Sequence, residues 1–140
     1  VLVEVNNDVK QLPFFSYGTL MPGQPNYTIW SHYVVRTQPA VFLRGRIHNL
    51  NHFPMLSEGG DGVVYGFLVE ISADVYADCL DDLDYLENYR PEEPEASLYQ
   101  RVERWVQLAD GKLVPAWVYV GNPQVADHYP IIASGDWRQV

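Results

Sequence analysis

Residues 72–90 read Ser72-Ala73-Asp74-Val75-Tyr76-Ala77-Asp78-Cys79-Leu80-Asp81-Asp82-Leu83-Asp84-Tyr85-Leu86-Glu87-Asn88-Tyr89-Arg90, a run free of Gly and Pro that ends against Pro91. Ser72 is a good N-cap residue and a proline stops a helix at the residue before it, so the spacing predicts one substantial helix over 72–90. At about 100° per residue, counted from Val75, the apolar residues Val75, Leu86, Cys79, Leu83, Tyr76 and Leu80 share an arc of roughly 140°. Glu87 projects into that arc, between Tyr76 and Leu80. Asp74, Asp78, Asp81 and Asp84 project to the opposite side, and Asp82 sits near the border of the stripe. A carboxylate buried without a partner is costly or becomes neutral, and general acid–base chemistry is a reason to keep one inside. The competing reading is a helix frayed by residue 87, with Glu87 in water or paired with Arg90 or Arg101.

Outward from this helix the pattern changes to strands. Leu12 to Tyr17 is a short apolar run that enters Gly18 and the turn-rich segment Met21-Pro22-Gly23-Gln24-Pro25-Asn26, so it reads as a buried strand ending in a loop. Residues 27–35 suit a short helix, and Ala40 to Leu50 and Val63 to Ile71 suit strands. Beyond the helix, Pro91-Glu92-Glu93-Pro94-Glu95 reads as a solvated loop. Leu98 to Leu108 and Lys112 to Val120 then flank Asp110-Gly111, a strong hairpin signal, with Pro115 placing the second arm at a sheet edge or a bulge. Strands, one helix and a closing hairpin predict an α+β domain over 1–140 with a largely antiparallel sheet that can curl into a barrel. Residues 1–11 form an N-terminal extension or an extra strand in this reading.

Composition narrows the function classes. With 47% hydrophobic residues in 140, the chain can build a core of its own, and ten Tyr and four Trp favour strands around an aromatic-walled pocket. The net charge of −9 leaves no basic footprint for a phosphate backbone, which excludes nucleic acid as a partner. No apolar run is long enough for a bilayer, so no membrane partner is expected. Cys79 is the single cysteine; on an apolar helix face it behaves as a small hydrophobe, and it points to a reducing, cytoplasmic compartment.

A second site candidate is Phe14-Phe15-Ser16-Tyr17-Gly18-Thr19-Leu20, because a strand that ends at a glycine exposes backbone N–H groups able to cradle a carboxylate. The order Tyr17-Gly18-Thr19-Leu20, then Leu83-Asp84-Tyr85-Leu86-Glu87-Asn88-Tyr89, then Tyr99-Gln100-Arg101 resembles the gamma-glutamylcyclotransferase-like superfamily, which includes avirulence-induced-gene-like proteins and gamma-glutamylamine cyclotransferases. Phe53-Pro54-Met55-Leu56, Val64-Tyr65-Gly66-Phe67-Leu68 and Ala116-Trp117-Val118-Tyr119 extend the likeness over residues 12–120. Where the family commonly has Gly after its glutamate, this chain has Asn88, which also tolerates unusual backbone angles.

The resemblance implies a small mixed, mostly antiparallel barrel with flanking helices and a cavity between the Tyr17–Leu20 loop and the glutamate. It implies release of 5-oxoproline and a free amine from a γ-glutamyl amine or γ-glutamyl amino acid. By matching position, Glu87 is the general base and then the acid, and the backbone around Tyr17, Gly18, Thr19 and Leu20 holds the anionic end of the substrate. Tyr99 and Tyr119 line the cavity or hydrogen-bond Glu87, or else pack as core tyrosines. No cofactor and no metal is implied. His48 and His52 lie four apart in what looks like a turn, without a metalloprotease pattern, and no serine has the context of a nucleophile elbow. The reading from another class is a non-catalytic binding module for a small carboxylated metabolite in the same cavity. Oligomeric state is not readable from these residues.

Overall fold

The computed structural model describes residues 10–140. Most of the expectation for residues 1–11 therefore lies outside the described residues, and Lys10 and Gln11 are not in a strand. Strand β1 is Phe14–Ser16, helix α1 Tyr27–Trp30, β2 Val34–Asn49, β3 Pro54–Ile71, α2 Tyr76–Leu86, β4 Tyr99–Leu108, β5 Leu113–Gly121 and α3 Pro123–Ala126. Single 3-10 turns at Ser31–Tyr33, Ala73–Val75, Pro94–Ala96 and Trp137–Gln139 complete the described chain. The strands close into a barrel in the order β1-β3-β2-β4-β5. All pairings but two are antiparallel: Phe14 lies beside Trp117 and Leu56 beside Val120 in parallel. This is the mixed, mostly antiparallel α+β barrel expected.

Two strands are longer than their apolar cores predict. β2 begins at Val34 and β3 at Pro54, so they form one ribbon that is broken at Leu43/Gly45 by a bulge. Arg44 takes a left-handed φ of 62° there, opposite Gly59 and Gly60 with φ of 114° and 77°. A bulge bends the ribbon and strengthens its twist, which lets β2 reach β4 at one edge and β3 reach β1 at the other. Where β1 crosses β3 the backbones touch: a Cβ on Gly66 would stand 2.2 Å from the Ser16 carbonyl oxygen. The predicted hairpin is present, with the Asp110 side chain accepting the Lys112 N–H at 2.9 Å and Gly111 at φ 89°. Pro115 faces Trp105 on β4, while the other side of β5 pairs only at Trp117 and Val120, so its missing donor falls at a locally open edge.

The core has two layers. Phe15, Phe42, Ile47, Leu56, Val64, Val106 and Val118 fill the barrel. Phe14, Trp30, Met55, Val69, Cys79, Leu80 and Leu83 pack between barrel and helices. The C-terminal segment straps across one end: Ile132 enters the barrel core and donates its N–H to the Ile47 carbonyl at 2.8 Å, and Tyr65 donates to the Gly135 carbonyl at 2.9 Å. His48 on β2 is tied to this strap and is buried, with Nδ1 2.9 Å from the Tyr129 carbonyl oxygen and Nε2 3.0 Å from the Ser57 hydroxyl. Among the described residues no group of His, Cys, Asp and Glu is arranged to hold a metal ion, and no helix is long and apolar enough to cross a membrane.

The helix that opened the sequence reading is shorter than 72–90. Ser72 precedes a 3-10 turn and makes no side-chain cap bond, the α-helical part starts at Tyr76, and it ends at Leu86 rather than before Pro91. The stop is a left-handed residue: Asn88 has φ 53°. Tyr89 N–H returns to the Asp84 carbonyl at 2.9 Å and Asn88 N–H to the Tyr85 carbonyl at 3.1 Å, the paired bonds of a Schellman ending. An L residue other than Asn or Gly is strained there, so Asn88→Ala is expected to lower unfolding free energy by about 1 kcal/mol while Asn88→Gly leaves it unchanged or higher, as measured by urea denaturation.

Candidate active site

Because the chain reverses immediately after Glu87, this residue caps the helix and its side chain turns into a cavity of about 330 Å³. The wall opposite is the segment after β1: Tyr17, Gly18, Thr19 and Leu20 all line the cavity, as do Tyr99 and Tyr119. The structure thus brings every sequence-predicted site residue to one place. Phe14 from the candidate stretch and Phe53 and Pro54 from the family resemblance complete the walls, together with Trp30 and Leu98, which the sequence did not single out. Leu86, expected within the buried stripe, is 45% exposed and lines the cavity as well.

The Tyr17–Leu20 segment is fixed by its carbonyls. Gly18 C=O accepts Met21 N–H at 3.1 Å, Thr19 C=O accepts Asn26 N–H at 3.0 Å, and Leu20 C=O accepts the Trp30 indole N–H at 2.9 Å. The N–H groups of Gly18, Thr19 and Leu20 meet no acceptor among the described residues. Successive unpaired N–H groups on a held loop are suited to an anion. Gly18 also lies against the Pro54 ring, 2.9 Å from where a Cβ would stand. Tyr17 ties this wall to the barrel: its hydroxyl donates to the Tyr119 carbonyl at 2.5 Å and accepts the Leu56 N–H at 3.2 Å.

Glu87 itself keeps some accessible surface toward the cavity, yet the surrounding protein displaces enough water to push its carboxyl from the ordinary 4.5 up to about 7. Desolvation disfavours the charged form, and no cation compensates: Arg101, one partner allowed by the frayed-helix reading, pairs elsewhere. Its guanidinium makes a two-point bond to Asp84, Nε to Oδ1 at 2.9 Å and Nη2 to Oδ2 at 3.2 Å. It also lies 4.5 Å from the Trp117 ring centroid and 5.5 Å from that of Tyr89. Arg90 reaches Glu93 instead.

Asp84 corrects the helical projection. It was expected on the solvent side, but the β4–β5 hairpin covers that side of the last turn, leaving the Asp84 side chain 16% and the Arg101 side chain 10% exposed. Tyr119 completes the cluster by donating its hydroxyl to Asp84 Oδ1 at 2.6 Å, and Tyr99 donates to the Pro54 carbonyl at 2.8 Å. Neither tyrosine hydrogen-bonds Glu87. Both are buried and both line the cavity, so the two remaining expectations for them hold together. The signal that could have exposed the ion pair was the arginine opening β4, which has no reason to face water if an acid of the helix end lies beneath it.

Comparison with known proteins was made by sequence and by fold. No curated protein matches by sequence. Among solved structures, YkqA from Bacillus subtilis aligns with TM-score 0.67 and 21% identity over 92% of this chain, which spans only 40% of YkqA. An AIG2-like protein from Mus musculus aligns with TM-score 0.61 and 23% identity, covering 87% of this chain and 86% of its own. An uncharacterized protein from Pyrococcus horikoshii gives TM-score 0.61 and 16% identity, with 90% and 89% covered. At such identities these three speak for the fold. The family described as gamma-glutamyl cyclotransferase, AIG2-like, matches residues 14–139, from β1 through the C-terminal strap, and the chain belongs to that family.

Proposed function

We propose that this protein releases 5-oxoproline and a free amine from a γ-glutamyl amine or γ-glutamyl amino acid, with Glu87 as the base and then the acid. Family membership supports cyclotransferase chemistry in general. The observation that carries the reading is a carboxyl raised to about 7 in the same cavity as a loop with three unpaired N–H groups. The N–H groups of Gly18, Thr19 and Leu20 hold the substrate's α-carboxylate. Glu87 takes a proton from the α-ammonium; the freed nitrogen attacks the γ-carbonyl carbon and closes the ring, and the carbonyl re-forms as its bond to the amine breaks. Two protons pass from the α-nitrogen to the leaving nitrogen, both carried by Glu87. Intramolecular attack needs mainly orientation, and a base near the working pH serves both directions of transfer. The buried free thiol of Cys79 agrees with a cytoplasmic setting.

The test is a panel of glutathione, γ-glutamyl-alanine and ε-(γ-glutamyl)lysine assayed for 5-oxoproline. Binding without product from any member would replace the enzyme with a carrier of carboxylated metabolites. For a turned-over substrate, kcat/KM should rise with pH as Glu87 ionises, with its acid inflection near pH 7 rather than near 4.5. An inflection below pH 5.5 would assign that limb to another group.

A further inference from the structure

Two leucines flank Glu87 at the cavity. Leu86 precedes it as the last residue of α2. Leu98 is tied to the reversal that follows it, its N–H donating to the Asn88 carbonyl at 3.1 Å. Both line the cavity, as does Phe53. Exposure separates floor from mouth: Phe14, Tyr17, Leu83, Tyr99 and Tyr119 are buried, whereas Leu86 is 45% exposed and Leu98 and Phe53 are half-buried. A single exposed leucine needs no explanation. Apolar side chains gathered at the opening of one cavity, on either side of its acid, make a surface that a ligand can cover.

The charge at this mouth is one-sided. Among the described residues no Lys or Arg lines the cavity, and its polar mouth residues are Asn26 and His52, both exposed. An exposed imidazole is not a permanent cation as a guanidinium is. To protonate the leaving nitrogen Glu87 has to reach it, so the substituent on that nitrogen starts between the two leucines. In a γ-glutamyl amino acid or peptide the first branch of that substituent carries a carboxylate or a peptide carbonyl. A carboxylate two bonds from the nitrogen would sit beside the Glu87 carboxyl with no fixed cation to offset the repulsion. We propose that Leu86 and Leu98, with Phe53, form the leaving-group subsite and select γ-glutamyl amides of apolar primary amines that carry no carboxylate beside the nitrogen. The inference rests on the γ-glutamyl reading and narrows it, and Leu86 is its specificity-determining residue.

The experiment uses γ-glutamyl-isobutylamide, γ-glutamyl-valine and γ-glutamyl-methylamide. The first two differ by one carboxylate alone, the first and third by three apolar carbons. In the wild type kcat/KM for the isobutylamide should exceed that for each of the others by ~10-fold or more. Leu86→Ala should shrink the isobutylamide-to-methylamide ratio at least ~3-fold. Leu86→Arg places a cation at the mouth, at a helix C-terminus that favours one, and should move the isobutylamide-to-valine ratio at least ~10-fold toward valine. Ratios between substrates are independent of the fraction of each variant that folds. Equal kcat/KM for the matched pair in the wild type, or ratios unmoved in both variants, overturns the subsite while leaving the cyclotransferase reading in place. If the amides bind without releasing 5-oxoproline, the same ratios are read as Kd by NMR titration; the expected values then support the subsite and remove the enzyme. Binding of none of the three overturns both.

Discussion

Glu87→Gln should abolish 5-oxoproline release, a loss of ~10³-fold or more, and should at the same time make the protein more stable in mild alkali. The activity loss follows from removing the one carboxyl that lines the cavity among the described residues. The stability gain follows from linkage. Folding raises this carboxyl from 4.5 to about 7, so the native state holds a proton that the unfolded chain has already released. That contribution to stability is intact below pH 4.5 and is lost as pH rises through 7, a swing of about 3 kcal/mol. Glutamine never ionises. The variant should therefore match the wild type near pH 4 and exceed it by about 3 kcal/mol at pH 8 in urea denaturation. An inactive variant with no pH-dependent gain would place the Glu87 carboxyl in water; an active one would remove it as the base.

Arg101→Met should be the most damaging single change outside the barrel core. The substitution keeps much of the side-chain volume against Trp117 and Tyr89 but strips Asp84 of its two-point partner. Removing one member of a largely buried pair leaves the other uncompensated, which costs about 3–5 kcal/mol and corresponds to a fall in melting temperature of roughly 10–20 °C. The double variant Arg101→Met with Asp84→Asn should recover part of the loss, since the orphaned charge goes with it. A single variant within 1 kcal/mol of wild type, by the surface-pair standard of about 0–1 kcal/mol, would show that the pair is solvated in solution. Lysine is no substitute here, because it lacks the planar fork that meets both carboxylate oxygens and stacks on the indole.

The sequence revealed what depends on neighbours in the chain. Asp110-Gly111 announced its hairpin because a tight turn is set by its own residues, and Val75 to Leu83 announced a helix face because the helical period is local. Glu87 stood out for the same reason, although its helix ends at Leu86 and not at Arg90. The arrest depends on a left-handed Asn88, which a polar residue near a helix end does not advertise by itself. What depends on distant partners was not readable. The parallel contact of Phe14 with Trp117 that closes the barrel joins segments whose registers are set by the whole sheet. The start of β3 at Pro54 was hidden by Gly59, Gly60 and Gly62, which look like a loop until the bulge at Arg44 gives them a partner. Asp84 illustrates the limit of helical projection: it lies only about 40° beyond Leu80, and whether that angle is wet or dry is decided by the hairpin laid over it.

The Schellman ending gives α2 the character of a ruler. The Glu87 carboxyl's position is measured from the backbone reversal at Asn88, and the helix face is measured from the core beneath Cys79, Leu80 and Leu83. Adding or deleting one residue between those marks would rotate them relative to each other by about 100° and swing the acid out of the cavity, with no change in composition and little in apolar burial. A chain that keeps this carboxyl in the cavity is thus free to vary the outward acids of α2 while being bound to its length.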